Sequence, residues 1–315
     1  MNKRIAGVAV LLVVGGFAVW RWYQTSPDLT LVPANPAQLV AINKQPAVPV
    51  PASSEPAAAP NPTKGKTLEI AKAYYASKDL RAFAEMAKKR PQEGGGTYAF
   101  DAINICLFIR KVADVKATDY TDAGLFAKKQ AALNDLRYRC HGFTSRELSL
   151  EGMNEFVGGI VESGDLLERV RNDFFRLVQE SRFTATQRLK LMNGLAELQD
   201  PATIALYATE ASRYYNEKNE QSYWINGETY ADNGRRELVE DAWRWASCQL
   251  GVDCKANSLK LLTLCVHDSK CFDSIDSYYR DKYASKPALF QQLIVLRDII
   301  VTAFQNRDFS KLIKP

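Results

Sequence analysis

Six cysteines and two histidines are the side chains of this chain best suited to chemistry, and their spacing narrows which chemistry that is. Cys106 and Cys140 stand apart from a second group, Cys248, Cys254, Cys265 and Cys271. Thiols act as metal ligands, as redox couples or as structural bridges. Zinc sites usually show a tight cysteine pair with about two to four residues between the ligands. Here the closest cysteines have five residues between them. Cys254, Cys265, His267 and Cys271 make up the metal alternative, three thiols and an imidazole. No Cys-x-x-Cys occurs, so a thioredoxin-like couple lacks its motif. An even count in an oxidising compartment favours disulfides, with fifteen pairings open in principle. Cys106 and Cys140 fall on neighbouring helices of one expected hairpin, and a bridge between them would staple it. Cys248-x5-Cys254 and Cys265-x5-Cys271 each straddle a helix end and a short loop, which favours two local bridges. The alternative joins Cys248 to Cys265 and Cys254 to Cys271.

Other reactive constellations are missing from the sequence. There is no H-E-x-x-H, G-x-S-x-G, S-x-x-K, P-loop or G-x-G-x-x-G. His141 and His267 each adjoin a cysteine region and are expected on the surface or in loops. Carboxylates are plentiful, but no pair stands out as an acid–base couple, so the catalytic residues are unknown. No cofactor and no metal is expected. Gly94-Gly95-Gly96-Thr97 before a helix could cradle an anion on its backbone amides; a flexible hinge is the plainer expectation. The best candidate for a recognition surface is Tyr214, Tyr215, Tyr223, Trp224 and Tyr230, where helical periodicity fades among amides and charges. Rings plus amides suit glycan or peptide contact; the alternative is that the rings pack on neighbouring helices.

The elements that must position these residues begin with a membrane segment. Residues 5–20 are sixteen uncharged residues behind Lys3 and Arg4. At about 1.5 Å per residue they reach roughly 24 Å, slightly less than the ~30 Å hydrocarbon core. Lys3 and Arg21 can snorkel, and Trp20, Trp22 and Tyr23 suit the interface. Residues 1–23 are therefore expected to be an uncleaved signal-anchor with its N-terminus in the cytoplasm. A cleaved signal peptide, with Gly16-Phe17-Ala18 as a weak cleavage site, is the rival reading. Either one exports the rest of the chain. Residues 24–66 hold nine of the 13 prolines. Proline removes backbone donors and enforces extended geometry, so this stretch reads as a disordered Pro/Ala-rich linker reaching at most roughly 130 Å.

Residues 67–315 read as a helical body. Apolar residues recur at spacings of three and four, and two-residue alternation is nearly absent. Expected helices include one capped by Thr97 that carries Phe100, Ile103 and Leu107, and others over residues 122–140, 165–180 and 184–198. Asp200-Pro201 marks a further start, and residues 236–248, 258–265, 273–283 and 287–304 follow. Brief Gly, Asp or Pro breaks favour antiparallel hairpins. The expected fold class is all-α: an N-terminal transmembrane helix, a linker, then an irregular α-solenoid or multi-helix bundle. Six of the 41 Lys and Arg and two of the 36 Asp and Glu precede residue 67, so the body is near neutral. That charge balance gives no case for nucleic acid.

Gly95-Gly96-Thr97-Tyr98 leading to Cys106, then Arg139-Cys140-His141-Gly142, then the C-x5-C pair after Trp243-Arg-Trp-Ala-Ser-Cys248, resembles a group of bacterial membrane-anchored envelope proteins with no assigned activity. The likeness covers residues 94–142 and 243–271. It implies disulfides at Cys106, Cys140, Cys248, Cys254, Cys265 and Cys271 and a tethered helical body. The expected protein is a single-pass inner-membrane protein whose C-terminal domain lies in the periplasm. Its expected partners are inner-membrane lipid along residues 5–22 and an envelope protein or peptidoglycan. The expected function is that of an interaction or scaffold protein. The alternative is a peptidoglycan-acting hydrolase whose carboxylate pair escapes recognition.

Overall fold

Helix N-termini leave backbone donors that short polar side chains satisfy, and this chain places such residues at most of its helix starts. A computed structural model describes residues 66–179, 183–215, 221–231, 235–268 and 270–315. The expected membrane helix and the linker before Lys66 lie outside the described residues. In chain order the helices are α1 (Lys66–Ala76), α2 (Leu80–Ala87), α3 (Gly95–Lys111), α4 (Ala123–Arg139), α5 (Leu150–Ser163), α6 (Leu166–Gln179) and α7 (Ala185–Leu198). A broken helix, α8, follows in three pieces: Pro201–Thr203, a π-helical turn at Ile204–Ala208, and Thr209–Ala211. Three strands come next, β1 (Arg213–Tyr215), β2 (Gln221–Ile225) and β3 (Glu228–Ala231). Then come α9 (Arg235–Gln249), α10 (Leu259–His267), α11 (Ile275–Lys282) and α12 (Pro287–Asn306).

The caps follow the residue types. Asp79, Asp122, Thr184, Asp200, Ser258 and Ser274 each accept a hydrogen bond from a backbone amide of the first turn they open. At Thr184 and Ser274 the third helical residue bonds back, completing a capping box. Each cap is worth about 1 kcal/mol. Thr97 is not a cap. α3 begins two residues earlier, behind Gly94 at φ 77°.

The body is mostly helical, and the three-stranded antiparallel sheet β1-β2-β3 departs from the all-α expectation. Asn226 and Gly227 join β2 to β3 with φ of 52° and 86°. Two positive φ values in a two-residue loop are the type I′ hairpin, for which Asn-Gly is the strongest short signal. Tyr223 pairs with Arg213 on one side and Tyr230 on the other. The outer edge of β1 is covered by a side chain: Arg188 Nη1 donates to Arg213 O at 2.7 Å and also to Ala211 O. Its guanidinium stacks 4.0 Å from the centroid of the Tyr214 ring. An arginine on an exposed ladder blocks further strand pairing.

Two hydrophobic clusters share the body. The first gathers Ile70, Leu80, Phe83, Ile103, Ile109, Leu133 and Leu136 from α1 to α4, with Leu259 and Leu262 of α10. The second gathers Met192, Leu195, Tyr223, Val239, Trp243, Leu293, Leu296 and Ile300. Residues beyond α12 belong to it too: Phe309, Leu312 and Ile313 are buried, and Lys311 O accepts from Asn226 N at 2.7 Å. Among the described residues, α12 is the helix long and apolar enough to cross a membrane. Here it packs as a core helix, with Leu293 and Ile300 fully covered and Val295 exposed on its outer side. Each such buried aliphatic side chain contributes about 1.5–3 kcal/mol.

Candidate functional site

Polar groups that face each other inside a protein must satisfy one another, and this chain gathers such groups where its two clusters meet. Tyr98 of α3 belongs to the first cluster and Tyr207 of α8 to the second. Between them stand Asp101, Glu168, Arg171 and Asp200. The Tyr98 hydroxyl donates to Asp200 Oδ2 at 2.5 Å, and Asp200 Oδ1 accepts from Thr203 N at 2.8 Å. Asp200 is completely covered, so it both caps α8 and anchors it to α3. Burial raises its pKa; the bonds from Tyr98 and Thr203 oppose that rise.

Glu168 and Arg171, one turn apart on α6, form an ion pair at 2.5 Å with both side chains largely buried. Arg171 reaches Glu168 through Nη2, while its Nε is buried without a hydrogen-bond partner among the described residues. Asp101 is half-buried on α3. Burial, then the charge of Asp200, pushes its carboxyl up to about 7, and Arg171 pulls in the other direction. The Tyr207 hydroxyl is raised by burial and feels Arg171, Glu168, Asp101 and Asp200. Tyr207 lies in the π-helical turn. Such turns are frequent at functional sites because they re-aim one side chain. The arrangement holds a carboxyl pushed up to about 7 near two further acidic side chains and one guanidinium, the electrostatic setting of an acid–base group.

The glycine run next to this site is neither a hinge nor an anion cradle. Gly96 N donates to Asp165 Oδ2 at 2.7 Å and Thr97 Oγ1 to Asp165 Oδ1 at 2.8 Å. Asp165 also accepts from Leu167 N and Glu168 N, so one carboxylate closes the starts of α3 and α6 together. The anion the amides invite is the protein's own. Gly95 is glycine because α2 lies against it: a Cβ there would run into the carbonyl of Ala87.

A second polar centre lies among α9, α10 and α11. Asp241, nearly fully buried, accepts from Tyr283 Oη at 2.8 Å and pairs with Lys282 at 2.6 Å and Arg244 at 3.1 Å. Burial, then the charge of Arg244, lowers Lys260 to about 8.

The cysteines join as Cys106–Cys140, Cys248–Cys254 and Cys265–Cys271, with Cα–Cα separations of 5.3, 5.6 and 4.3 Å. Their sulfurs are therefore occupied, and among the described residues no group of His, Cys, Asp and Glu is placed to hold a metal. His141 is exposed, stacked on Tyr138 with centroids 5.2 Å apart; His267 is exposed on one side and lies 4.4 Å from Phe108.

The aromatic segment divides. Tyr223 and Tyr230 are buried in the second cluster, Tyr214 and Trp224 are half-buried, and Tyr215 is 57 % exposed. Of the five rings expected as a recognition surface, the sheet thus turns two inward and presents Tyr215 outward. The seam carboxyls were missed by sequence reasoning. The signal for Asp101 was its place on α3, three residues after Tyr98 and four before Ile105, an acid on the inward face. No protein-family model, curated protein or solved structure matches this chain.

Proposed function

We propose that this chain is a membrane-tethered helical module of an oxidising envelope compartment that works by contact with another macromolecule. One observation carries the reading: every cysteine of the body is paired within the body. Disulfides of this density suit chains that mature outside the cytosol. Residues 5–20 supply an apolar anchor by composition, and the prolines after them supply a tether. A tethered body searches a limited volume and so raises its effective concentration toward a neighbour. The partner classes are an envelope protein or peptidoglycan. A pair of C-terminal reporters, one active only in the cytosol and one only after export, tests the topology; activity of the cytosolic one overturns it. Crosslinking of the full-length protein in intact cells tests the contact role, with a single stoichiometric adduct expected.

A second reading has its own support. The Asp101 carboxyl, poised near neutrality beside Asp200 and Glu168, suits a general acid or base of a hydrolase acting on peptidoglycan. Loss of muropeptide release by Asp101→Asn with unchanged folding would favour it. Absence of release by the wild type would remove it.

A further inference from the structure

The three disulfides differ in how the body covers them. Cys106 is 1 % exposed and Cys140 9 %, while Cys265 is 6 % exposed beside a half-buried Cys271. Cys248 and Cys254 are both half-buried. Exchange requires a thiolate to reach a sulfur, so access ranks the bridges and puts Cys248–Cys254 first. That bridge also sits where the chain crosses from one hydrophobic cluster to the other. α9 packs Trp243 and Ala246 into the second cluster, and α10 packs Leu259 and Leu262 into the first. Residues 250–258 make the crossing. Val252 is buried there, and its amide donates to Ser247 O at 3.0 Å. Gly251, at φ 129°, lies against two further elements: a Cβ on it would come within 3.0 Å of Leu68 on α1 and 3.3 Å of Pro201 at the start of α8. Beside them Thr67 Oγ1 donates to Leu198 O at the end of α7. The far end of the crossing is held by the buried Arg139, whose Nη2 donates to Asn257 O at 3.1 Å.

We propose that Cys248–Cys254 is a redox latch: an external dithiol opens it, and its closed form presses the crossing loop onto α1 and α8. A thiolate of the dithiol attacks one sulfur of the bridge. The Cys248–Cys254 bond breaks, a mixed disulfide forms, and the other cysteine leaves as a thiolate that takes up a proton. The second thiolate of the dithiol then attacks the mixed disulfide and releases the remaining cysteine. Two electrons and two protons pass from the dithiol to the bridge, and the dithiol departs as its own disulfide. The body stays folded through this exchange. Cys106–Cys140 spans 34 residues and remains closed, whereas Cys248–Cys254 spans 6 and restrains much less of the unfolded chain. Opening is therefore a local event. The near end of the crossing is released while Arg139 still holds the far end, and the loop lifts from Leu68 and Pro201. The join between α1 and the start of α8 is thereby uncovered.

The test uses the oxidised full chain in detergent, without denaturant, and dithiothreitol as the dithiol. Samples are quenched in acid at intervals, alkylated, then denatured, reduced and alkylated with a second reagent of different mass. Peptide mass spectrometry reads which cysteines had opened. Cys248 and Cys254 should take the first label together, about tenfold or more faster than the other four cysteines. Opening of either other bridge first, or of all three in step, overturns the proposal. Hydrogen exchange on the protein reduced at that one bridge reads the consequence. Protection should fall over residues 249–258 and also in the peptides that carry Leu68 and Pro201, with α12 unchanged, and reoxidation should restore it. A fall confined to residues 249–258 overturns the latch, because the loop would then hold nothing but itself. The Cys248→Ser/Cys254→Ser variant should show the open exchange pattern without reductant; if it fails to fold, the wild-type labelling order and exchange still decide. These readouts are made on purified protein and depend on neither topology nor partner, so their failure leaves the functional reading standing.

Discussion

Tyr98 and Asp200 lie 102 residues apart and meet through a buried 2.5 Å hydrogen bond from phenol to carboxylate. That bond joins α3 to the start of α8, and with it the first hydrophobic cluster to the second. Removing the phenol oxygen leaves a buried carboxylate oxygen with one donor fewer. Tyr98→Phe should lower stability by about 1–3 kcal/mol, measured as a shift of the urea midpoint with unchanged slope. A loss under about 0.5 kcal/mol would mean the two clusters do not depend on this contact.

The three disulfides close loops of different length. Cys106 and Cys140 are 34 residues apart, and the other two pairs are 6 apart. Loop entropy assigns about 4 kcal/mol to the long closure and about 2 kcal/mol to a short one. The Cys106→Ser/Cys140→Ser double variant should therefore unfold at distinctly lower denaturant than the Cys248→Ser/Cys254→Ser variant. The reverse order would place the native contribution in geometry rather than in the unfolded chain.

Glycines should divide sharply by position. Gly95→Ala forces a methyl into the carbonyl of Ala87 and should cost about 3 kcal/mol or more, or prevent folding. Gly158→Ala, inside α5 with no atom within 4 Å of the new carbon, should stabilise by about 0.5–1 kcal/mol. Thermal melts of the two variants against wild type check both signs.

Asp241→Ala leaves Lys282 and Arg244 without their shared carboxylate at the second polar centre. Breaking a buried ion pair from one side costs about 3–5 kcal/mol. The pH dependence is a separate check: Lys282 is held above its usual range, since Asp241 and Glu237 outweigh the effect of burial. Its stabilisation is present below the unfolded lysine value and fades as pH rises through the folded one. The wild type should therefore lose stability above about pH 10, and Asp241→Ala should flatten that loss.

Helices were the legible part of this chain, because spacing and caps act locally. Asp122, Thr184, Asp200 and Ser258 start helices where their side chains meet free amides. α5 was not foreseen: its glycines weaken the pattern, and its cap, Ser149 accepting from Gly152 N at 3.1 Å, sits in a loop crowded with polar residues. The sheet was missed although Asn226-Gly227 announces a hairpin, because β2 buries Ser222, Tyr223 and Ile225 and so lacks a clean alternation. The seam was least legible. Asp101, Glu168, Arg171 and Asp200 converge only through tertiary packing across the chain, and carboxylates are too common for sequence alone to select three of them. Cys106 and Cys140 pair in the way hairpin spacing favoured, since bridging partners must lie on adjacent elements.

The most direct test of an exported, disulfide-closed body counts its thiols. Cells producing the full-length protein are quenched in acid, the protein is denatured, and free thiols are alkylated and weighed by mass spectrometry before and after reduction. The expected result is no alkylation before reduction and six additions after it, one for each cysteine. Six additions without reductant would contradict the account.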